Sequence, residues 1–400
     1  MHDRIAIVGA GQAGAALAMR LRAGGHVGEI VIYGAEPHLP YQRPPLSKKY
    51  LSGEWEAERL YLRPDHYWRD AGIEVRSGEP VVAIDPAART LRWGGEDRPW
   101  DRLALTTGAR PRPRPAGFAD VDGVYELRSL NDVDAMRARF SPGRRLAVVG
   151  GGFIGLETAA VAAGLGMVVT VIELAERILA RVVCARTSEH FRNLHAANGV
   201  RILEGRSVSK VLGDGAVTAV ELDDGKRIDT DIVLLGVGVL PETSLAEQAG
   251  LRCDNGILVD ERCRTSCSGI WAAGDCAAFP FMGEKTRLES VQNAIDQAEA
   301  AADDMLGIGV PYVPVPWFWS DQYDTKLQIA GLNRGYTQVV SRSTGRGLSN
   351  WYFKDEDFIA VDCIGDAQAF MIAKRLLAGG ARIDPARVAD PDIQLKSLLA

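Results

Sequence analysis

One hydrophobic and polar pattern occurs twice along the chain. In "RIAIVGAGQAGAALAMRLRAGGHVGEIVIYGAE" an apolar run, Ile5 to Val8, is followed by three glycines, a small-residue stretch of helical period, and a second apolar run, Ile30 to Ile32. "RLAVVGGGFIGLETAAVAAGLGMVVTVIEL" repeats it, with the apolar run Leu146 to Val149 and a second run closed by Glu173. Short apolar runs bounded by glycine predict buried parallel strands, and the stretch between them predicts a helix. The chain therefore reads as strand, tight turn, helix and strand, twice over. The longest apolar run, Thr158 to Ile172, contains Gly164 and Gly166 and lies between Glu157 and Glu173. It reads as helix, turn and strand, too short and too interrupted for the roughly 20 residues of a membrane span.

The remaining patterns fill in the organisation. "LALTTGARPRP" (Leu103 to Pro113) is an apolar strand running into a Pro/Arg-rich linker, and "VLLGVGVLPET" (Val233 to Thr243) is a similar strand ending in glycines and Pro241. Each reads as a crossing between domains. "GIWAAGDCA" delivers Gly274 and Asp275 to a turn at a strand end. Beyond Trp319, "LSNWYFKDEDFIAVDC" alternates like antiparallel strands, and "AFMIAKRLLAGG" predicts a helix with Gly379 at its end.

With 400 residues and 46% hydrophobic content, the chain is long enough for two or three domains. A net charge of −6 argues against nucleic acid or an anionic membrane as main partner. The six cysteines (184, 253, 263, 267, 276, 363) show no framework spacing, and the motif starting at Ile5 leaves no room for a secretory signal, so a reducing cytoplasm is the expected setting. Cys263 and Cys267 lack a matching His or Cys pair, and no metal site is expected.

The glycine spacing brings in chemistry. Between a strand and a helix, GxGxxG is a dinucleotide fingerprint: the first Gly makes the turn, the second admits the pyrophosphate, and the third lets the helix pack closely. Gly9, Gly11 and Gly14 form one copy, and Gly150, Gly152 and Gly155 the other. Glu36, 22 positions after Gly14, can reach a ribose hydroxyl, whereas neighbouring Ala35 cannot. Glu173, 18 positions after Gly155, would accept from a ribose diol and repel a 2′-phosphate, so the second site should prefer NADH to NADPH. Asp275 can accept from sugar hydroxyls, or simply cap its turn. In "PYQRPPLSKKY", Pro40, Pro44 and Pro45 fix φ and push the residue before each toward extended geometry, which would display Arg43 and Lys48 from a stiff segment. Glu157, near a helix start, suits the macrodipole on its own. Trp317 and Trp319, two apart, point the same way on an extended segment, as core residues also do.

Taken in order, the two Gly motifs, PPLSK (Pro44 to Lys48), TTGARP (Thr106 to Pro111), GVGVLP (Gly236 to Pro241), AAGD (Ala272 to Asp275), RLESVQNA (Arg287 to Ala294) and PWFWSDQY (Pro316 to Tyr323) span nearly the whole chain. In this set the chain resembles the two-dinucleotide flavoprotein reductases, and among them the NADH-dependent ferredoxin reductases that serve Rieske dioxygenases and bacterial cytochromes P450. The resemblance implies an α/β fold of two Rossmann-like, glutathione-reductase-like domains with a small α+β C-terminal domain. The expected division is an FAD domain of residues 1–110 and 243–318, an NADH domain of 111–242, and a C-terminal domain of 319–400.

It further implies FAD contacts from Gly9, Gly11, Ala13, Gly14, Glu36, Arg43, Lys48, Val81, Arg128, Asp275 and Val291, and NADH contacts from Gly150, Gly152, Ile154, Gly155, Glu173 and Gly238. Related disulfide reductases carry a redox cysteine after the first βαβ unit, but this chain has no cysteine before Cys184. The resemblance instead places Lys48 near flavin N5, pairs it with Glu157 between flavin and nicotinamide, and sets Trp319 beside the isoalloxazine. The implied activity is hydride transfer from NADH to FAD, then single electrons to a [2Fe-2S] ferredoxin feeding a cytochrome P450 or Rieske oxygenase, by a monomer or weak dimer. Two alternatives stand beside it: an NADH oxidase or apoptosis-inducing-factor-like flavoprotein, and a redox-sensing NADH-binding protein.

Overall fold

The structure is a computed structural model that describes residues 3–115, 117–118, 121–380 and 382–399. The chain forms two compact units, one of Met1–Gln42, Ala57–Arg110 and Val239–Pro314, the other of Arg43–Glu56, Pro111–Gly238 and Val315–Ala400.

In the first unit a five-stranded parallel sheet runs in the order Ile270–Ala272, Arg102–Leu105, Ile5–Val8, Ile30–Gly34, Ile73–Ser77. Its central strand, Ile5–Val8, is buried along its whole length, as a parallel strand covered on both faces requires. Helix Gln12–Ala23 follows it across the Gly turn and packs against helix Val291–Met305. Both helices contribute alanines to the contact region of one core, Ala15, Ala16 and Ala18 from the first and Ala298, Ala301 and Ala302 from the second. Small side chains let the two backbones approach, and this sets the start of the later helix beside the Gly turn.

The second unit carries a matching parallel sheet, Arg201–Glu204, Val168–Glu173, Arg145–Val149, Ile232–Leu235, Val124–Glu126. Helix Phe153–Gly164 follows its central strand, so the long apolar run resolves into helix, turn and strand. The C-terminal part is a five-stranded antiparallel sheet in the order Trp317–Gln322, Thr325–Gly331, Asp357–Ile364, Gly347–Lys354, Gln338–Thr344. Helix Ala367–Gly379 lays Ala369, Phe370, Ala373 and Leu376 on Trp351, Phe353, Val361 and Cys363. The helix is closed by Gly380, in the left-handed conformation at φ +61°, and Gly379 is still helical. Arg342, almost wholly buried, donates to the carbonyls of Val388, Asp390, Pro391 and Ile393 and so ties the last residues to this sheet.

One local expectation is corrected. The PPLS segment is a 3-10 turn, Pro44–Ser47, and Arg43 before it is helical (φ −81°, ψ −29°), not extended. Pro44 and Pro45 occupy the first turn, where a missing N–H costs nothing. The bonds Leu46 N–H to Arg43 O (2.9 Å) and Lys48 N–H to Pro45 O (3.0 Å) offset the steric preference of a pre-proline residue.

Candidate functional site

The two Gly turns can be tested for what each glycine is needed for. Gly9 has φ +116°, and a Cβ there would stand 2.2 Å from Thr106 O; a Cβ on Gly14 would stand 2.0 Å from Gly9 O. Both are demanded by the protein's own backbone. A Cβ on Gly11, by contrast, would meet nothing within 4 Å. The second turn repeats this: Gly150 (φ +109°) would strike Gly236 O at 2.4 Å, Gly155 would strike Gly150 O at 2.2 Å, and Gly152 meets nothing. Gly11 and Gly152 are the N-caps of their helices and make no side-chain cap. Open space in front of uncapped backbone N–H groups fits the pyrophosphate of a dinucleotide at each turn.

Around the first turn, Gly274 (φ +83°) brings the AAGD turn against Ala13, with Ala294 close behind, while Gln297 Oε1 accepts from Gly274 N–H at 2.8 Å. This gathers Ala13, Asp275 and Val291, the first residue of its helix, around the Gly9–Gly14 turn. The Asp275 carbonyl accepts from Arg287 at 3.1 Å. Glu36 follows strand Ile30–Gly34 and accepts from the Tyr41 hydroxyl at 2.5 Å, so Tyr41 fixes one oxygen and points the carboxylate. Val81 is buried before strand Ala83–Asp85.

In the second unit, Glu173 ends its strand with both oxygens engaged: Oε2 accepts from Gly151 N–H at 2.6 Å and Oε1 from Ala175 N–H at 2.7 Å. A carboxylate accepts about four hydrogen bonds, so a ribose diol can still be received. Ile154 sits in the first turn of helix Phe153–Gly164, and Gly238 (φ +95°) faces Arg112 and Arg181. Arg43 donates to the Arg128 carbonyl, which joins the Pro-rich segment to the start of helix Leu130–Arg137. Tyr50, on the same segment, donates to Asp134 at 2.6 Å and lies under Arg137. Burial and that carboxylate push its hydroxyl up to about 12.

Lys48 and Glu157 form a buried charge pair. Lys48 Nζ lies 2.8 Å from Glu157 Oε2, with side-chain exposures of 17% and 4%, so the pair is shielded from screening water. Glu157 is held from three directions: Ser47 Oγ donates to Oε2 at 2.5 Å, Ser320 Oγ donates to Oε1 at 2.6 Å, and Lys48 completes the set. A buried carboxylate with a cation and two hydroxyl donors has its lone pairs met. Trp317 and Trp319 lie on one face of their strand with ring centroids 5.6 Å apart, and Lys374 Nζ stands 4.6 Å above Trp317. Phe318 and Ser320 face the other way.

Sequence reading missed Ser47, Ser320 and Tyr41. Ser47 and Ser320 each sit next to a residue that was singled out, and strand alternation, which turns Ser320 away from Trp319, was the available signal for the latter. Cys263 is buried and its thiol, pushed up by burial, donates to the Gln297 carbonyl. Among the described residues, no three His, Cys, Asp or Glu side chains converge to hold a metal ion, and no helix is long and apolar enough to cross a membrane.

Comparison with known proteins shows the family to which the chain belongs. The model of the family described as pyridine nucleotide-disulphide oxidoreductase matches residues 3–298, and that described as reductase C-terminal matches 317–399. The chain is 40% identical to the ferredoxin–NAD(P)(+) reductase of a Sphingomonas species, covering 100% of this chain and 98% of that one. It is 40% identical to the ferredoxin–NAD(+) reductase component of the anthranilate 1,2-dioxygenase system of Burkholderia cepacia, covering 99% of each. Among solved structures, the covalent putidaredoxin reductase–putidaredoxin complex superposes with a TM-score of 0.96 at 36% identity, over 99% of this chain and 98% of that one.

Proposed function

We infer, for a chain that belongs to the pyridine nucleotide-disulphide oxidoreductases and carries their reductase C-terminal domain, that it is an NADH-dependent ferredoxin reductase. Its partner is a [2Fe-2S] ferredoxin that feeds a cytochrome P450 or a Rieske oxygenase. Bound FAD supplies the chemistry that turns a two-electron hydride from NADH into two single-electron deliveries.

The observation that carries the reading is the buried Lys48–Glu157 pair on a segment without cysteine. Thiol exchange is not available there. A buried cation is, and beside bound FAD it would stabilise negative charge on the reduced ring. Glu157 keeps the cation in place and orients it. The Gly9–Gly14 turn, Ala13, Glu36, Val81, Asp275 and Val291 are assigned to FAD together with Arg43, Lys48 and Arg128; the Gly150–Gly155 turn, Ile154, Glu173 and Gly238 to NADH; and Trp319 to the flavin edge from which electrons leave. The division into an FAD domain (1–110, 243–318), an NADH domain (111–242) and a C-terminal domain (319–400) is supported by one Gly turn on each parallel sheet. We place the protein in the cytoplasm, in keeping with its six free cysteines.

A stopped-flow reoxidation trace tests the function. Protein reduced by NADH should reoxidise fast only when a ferredoxin is added. Fast reoxidation by air alone would make it an oxidase, and persistence with every acceptor would make it a sensor.

A further inference from the structure

Behind Glu157 a row of polar side chains runs through the second unit. Ser320 Oγ lies 2.6 Å from Glu157 Oε1, Gln322 Nε2 lies 3.2 Å from Ser320 Oγ, His195 Nε2 lies 2.8 Å from Gln322 Oε1, and the Tyr323 hydroxyl lies 3.1 Å from His195 Nδ1. Ser320, Gln322 and His195 are wholly buried. They come from two elements, the strand Trp317–Gln322 with its turn and the helix Ala185–Ala197.

The protons in this row are fixed by elimination. A carboxylate only accepts, so the single proton of Ser320 is committed to Glu157. The Ser320 oxygen must then accept, which turns the Gln322 amide nitrogen toward it and the amide oxygen toward His195. His195 therefore carries its proton on Nε2, and the bare Nδ1 accepts from Tyr323. Burial lowers the His195 pKa and keeps the ring neutral, against the weaker pull of Gln322. It also pushes the Tyr323 hydroxyl up to about 12, which keeps it a donor. Every dipole in the row thus points at Glu157, and bonds aligned in this way polarise one another.

We propose that Ser320, Gln322, His195 and Tyr323 are positioning residues that aim Glu157 at Lys48 through a one-way hydrogen-bond row. The row holds Oε1 and so leaves Oε2 turned to Lys48 and Ser47. Its far end, Tyr323, sits half-buried in the two-residue turn between the first two C-terminal strands, at φ +56°. The C-terminal sheet thereby takes part in the reducing step. The proposal rests on the assignment of the Lys48–Glu157 pair to the reacting face.

Two measurements on the full-length, FAD-loaded protein test it. Nitrogen NMR with ¹⁵N-labelled histidine should show His195 protonated on Nε2 at neutral pH, and Gln322→Leu should abolish that tautomer preference. Single-turnover reduction of FAD by NADH should slow about tenfold in Ser320→Ala with FAD content unchanged, and Ser320→Thr, which keeps the hydroxyl, should recover to within about threefold of wild type. Should Ser320→Ala fail to fold, Gln322→Met carries the same kinetic test. A proton on His195 Nδ1 overturns the row. So does a Ser320→Ala protein that reduces FAD at the wild-type rate while Glu157→Gln is slow. A Glu157→Gln protein as fast as wild type would instead remove the assignment of the pair, and the positioning role with it.

Discussion

Phe153 packs against Phe318 with ring centroids 4.5 Å apart and planes tilted by 35°, one helix turn and two strand residues before the place where Glu157 meets Ser320. Four residues along a helix advance about 6 Å and two along a strand about 6.6 Å. Phe153 and Glu157 on one helix face therefore match Phe318 and Ser320 on one strand face. An apolar pair at one end of the contact aligns a polar pair at the other.

Because Lys48 is the cation paired with buried Glu157, its loss should affect stability beside the rate effect proposed for it. Lys48→Ala leaves Glu157 buried with only hydroxyl partners, and should cost about 3 to 5 kcal/mol, while Lys48→Met combined with Glu157→Gln should cost less. Urea denaturation of the three proteins ranks them. Flavin reduction should slow in both variants, and the flavin potential should fall once the cation is removed.

The proposed assignment of Glu173 to the ribose diol predicts the coenzyme choice. Glu173→Ala should weaken NADH binding by about 1 to 3 kcal/mol, through the loss of a diol acceptor. Because Gly151 and Ala175 also donate to this carboxylate, the variant should melt earlier than wild type. Comparison of kcat/KM for the two coenzymes decides the assignment: wild type should favour NADH over NADPH.

Asp362 gives the stability a pH dependence. Wholly buried, it accepts from Thr187 at 2.8 Å and from Tyr352, while its Oδ1 has no partner. Burial pushes its carboxyl up to about 7, against the pull of those two hydroxyls. The folded chain thus keeps a proton that the unfolded chain loses near pH 4, so this group's contribution is greatest below about pH 4, falls as pH rises to about 7, and is flat beyond. Asp362→Asn should remove that fall and be more stable than wild type at pH 8 by a few kcal/mol. Melting curves at pH 5 and pH 8 measure it.

The glycines separate folding from binding. Gly9→Ala should lower stability by more than about 1 kcal/mol, because both its φ and its space are forbidden to a side chain. Gly11→Ala, at an N-cap with open space for a Cβ, should cost no more than about 1 kcal/mol in the absence of FAD, yet bind FAD poorly. Calorimetric melts and FAD titration of the two proteins give the contrast.

On a chain of net charge −6, electrostatic docking of a negatively charged ferredoxin at the proposed Trp319 edge would need local cations, and Lys374 over Trp317 supplies one. Electron transfer to the ferredoxin should fall steeply as salt rises toward about 0.5 M, where the Debye length is only a few Å, while reduction of FAD by NADH changes far less. A flat ferredoxin rate would point to apolar contact around the two tryptophans.

The parallel sheets and their Gly turns were legible because strand, turn and helix signals there are local and agree with one another. Lys48 and Glu157 were legible through resemblance, since 109 positions separate them (157 − 48) and no local pattern joins them. Ser320 and His195 were not, because their roles depend on which strand face meets which helix. The helical Arg43 was misread because two hydrogen bonds outweighed a steric preference taken alone.

The clamp on Glu157 also has a kinetic meaning. Its partners Ser47 and Ser320 stand 110 positions before it and 163 after it. Loops of that size close late, after local helices and hairpins have formed. A chain released from the ribosome short of the strand Trp317–Gln322 would own both glycine turns and still lack the finished carboxylate. Truncated or half-folded copies should therefore draw electrons from NADH poorly, because Ser320, which completes the hold on Glu157, arrives with the last fifth of the chain.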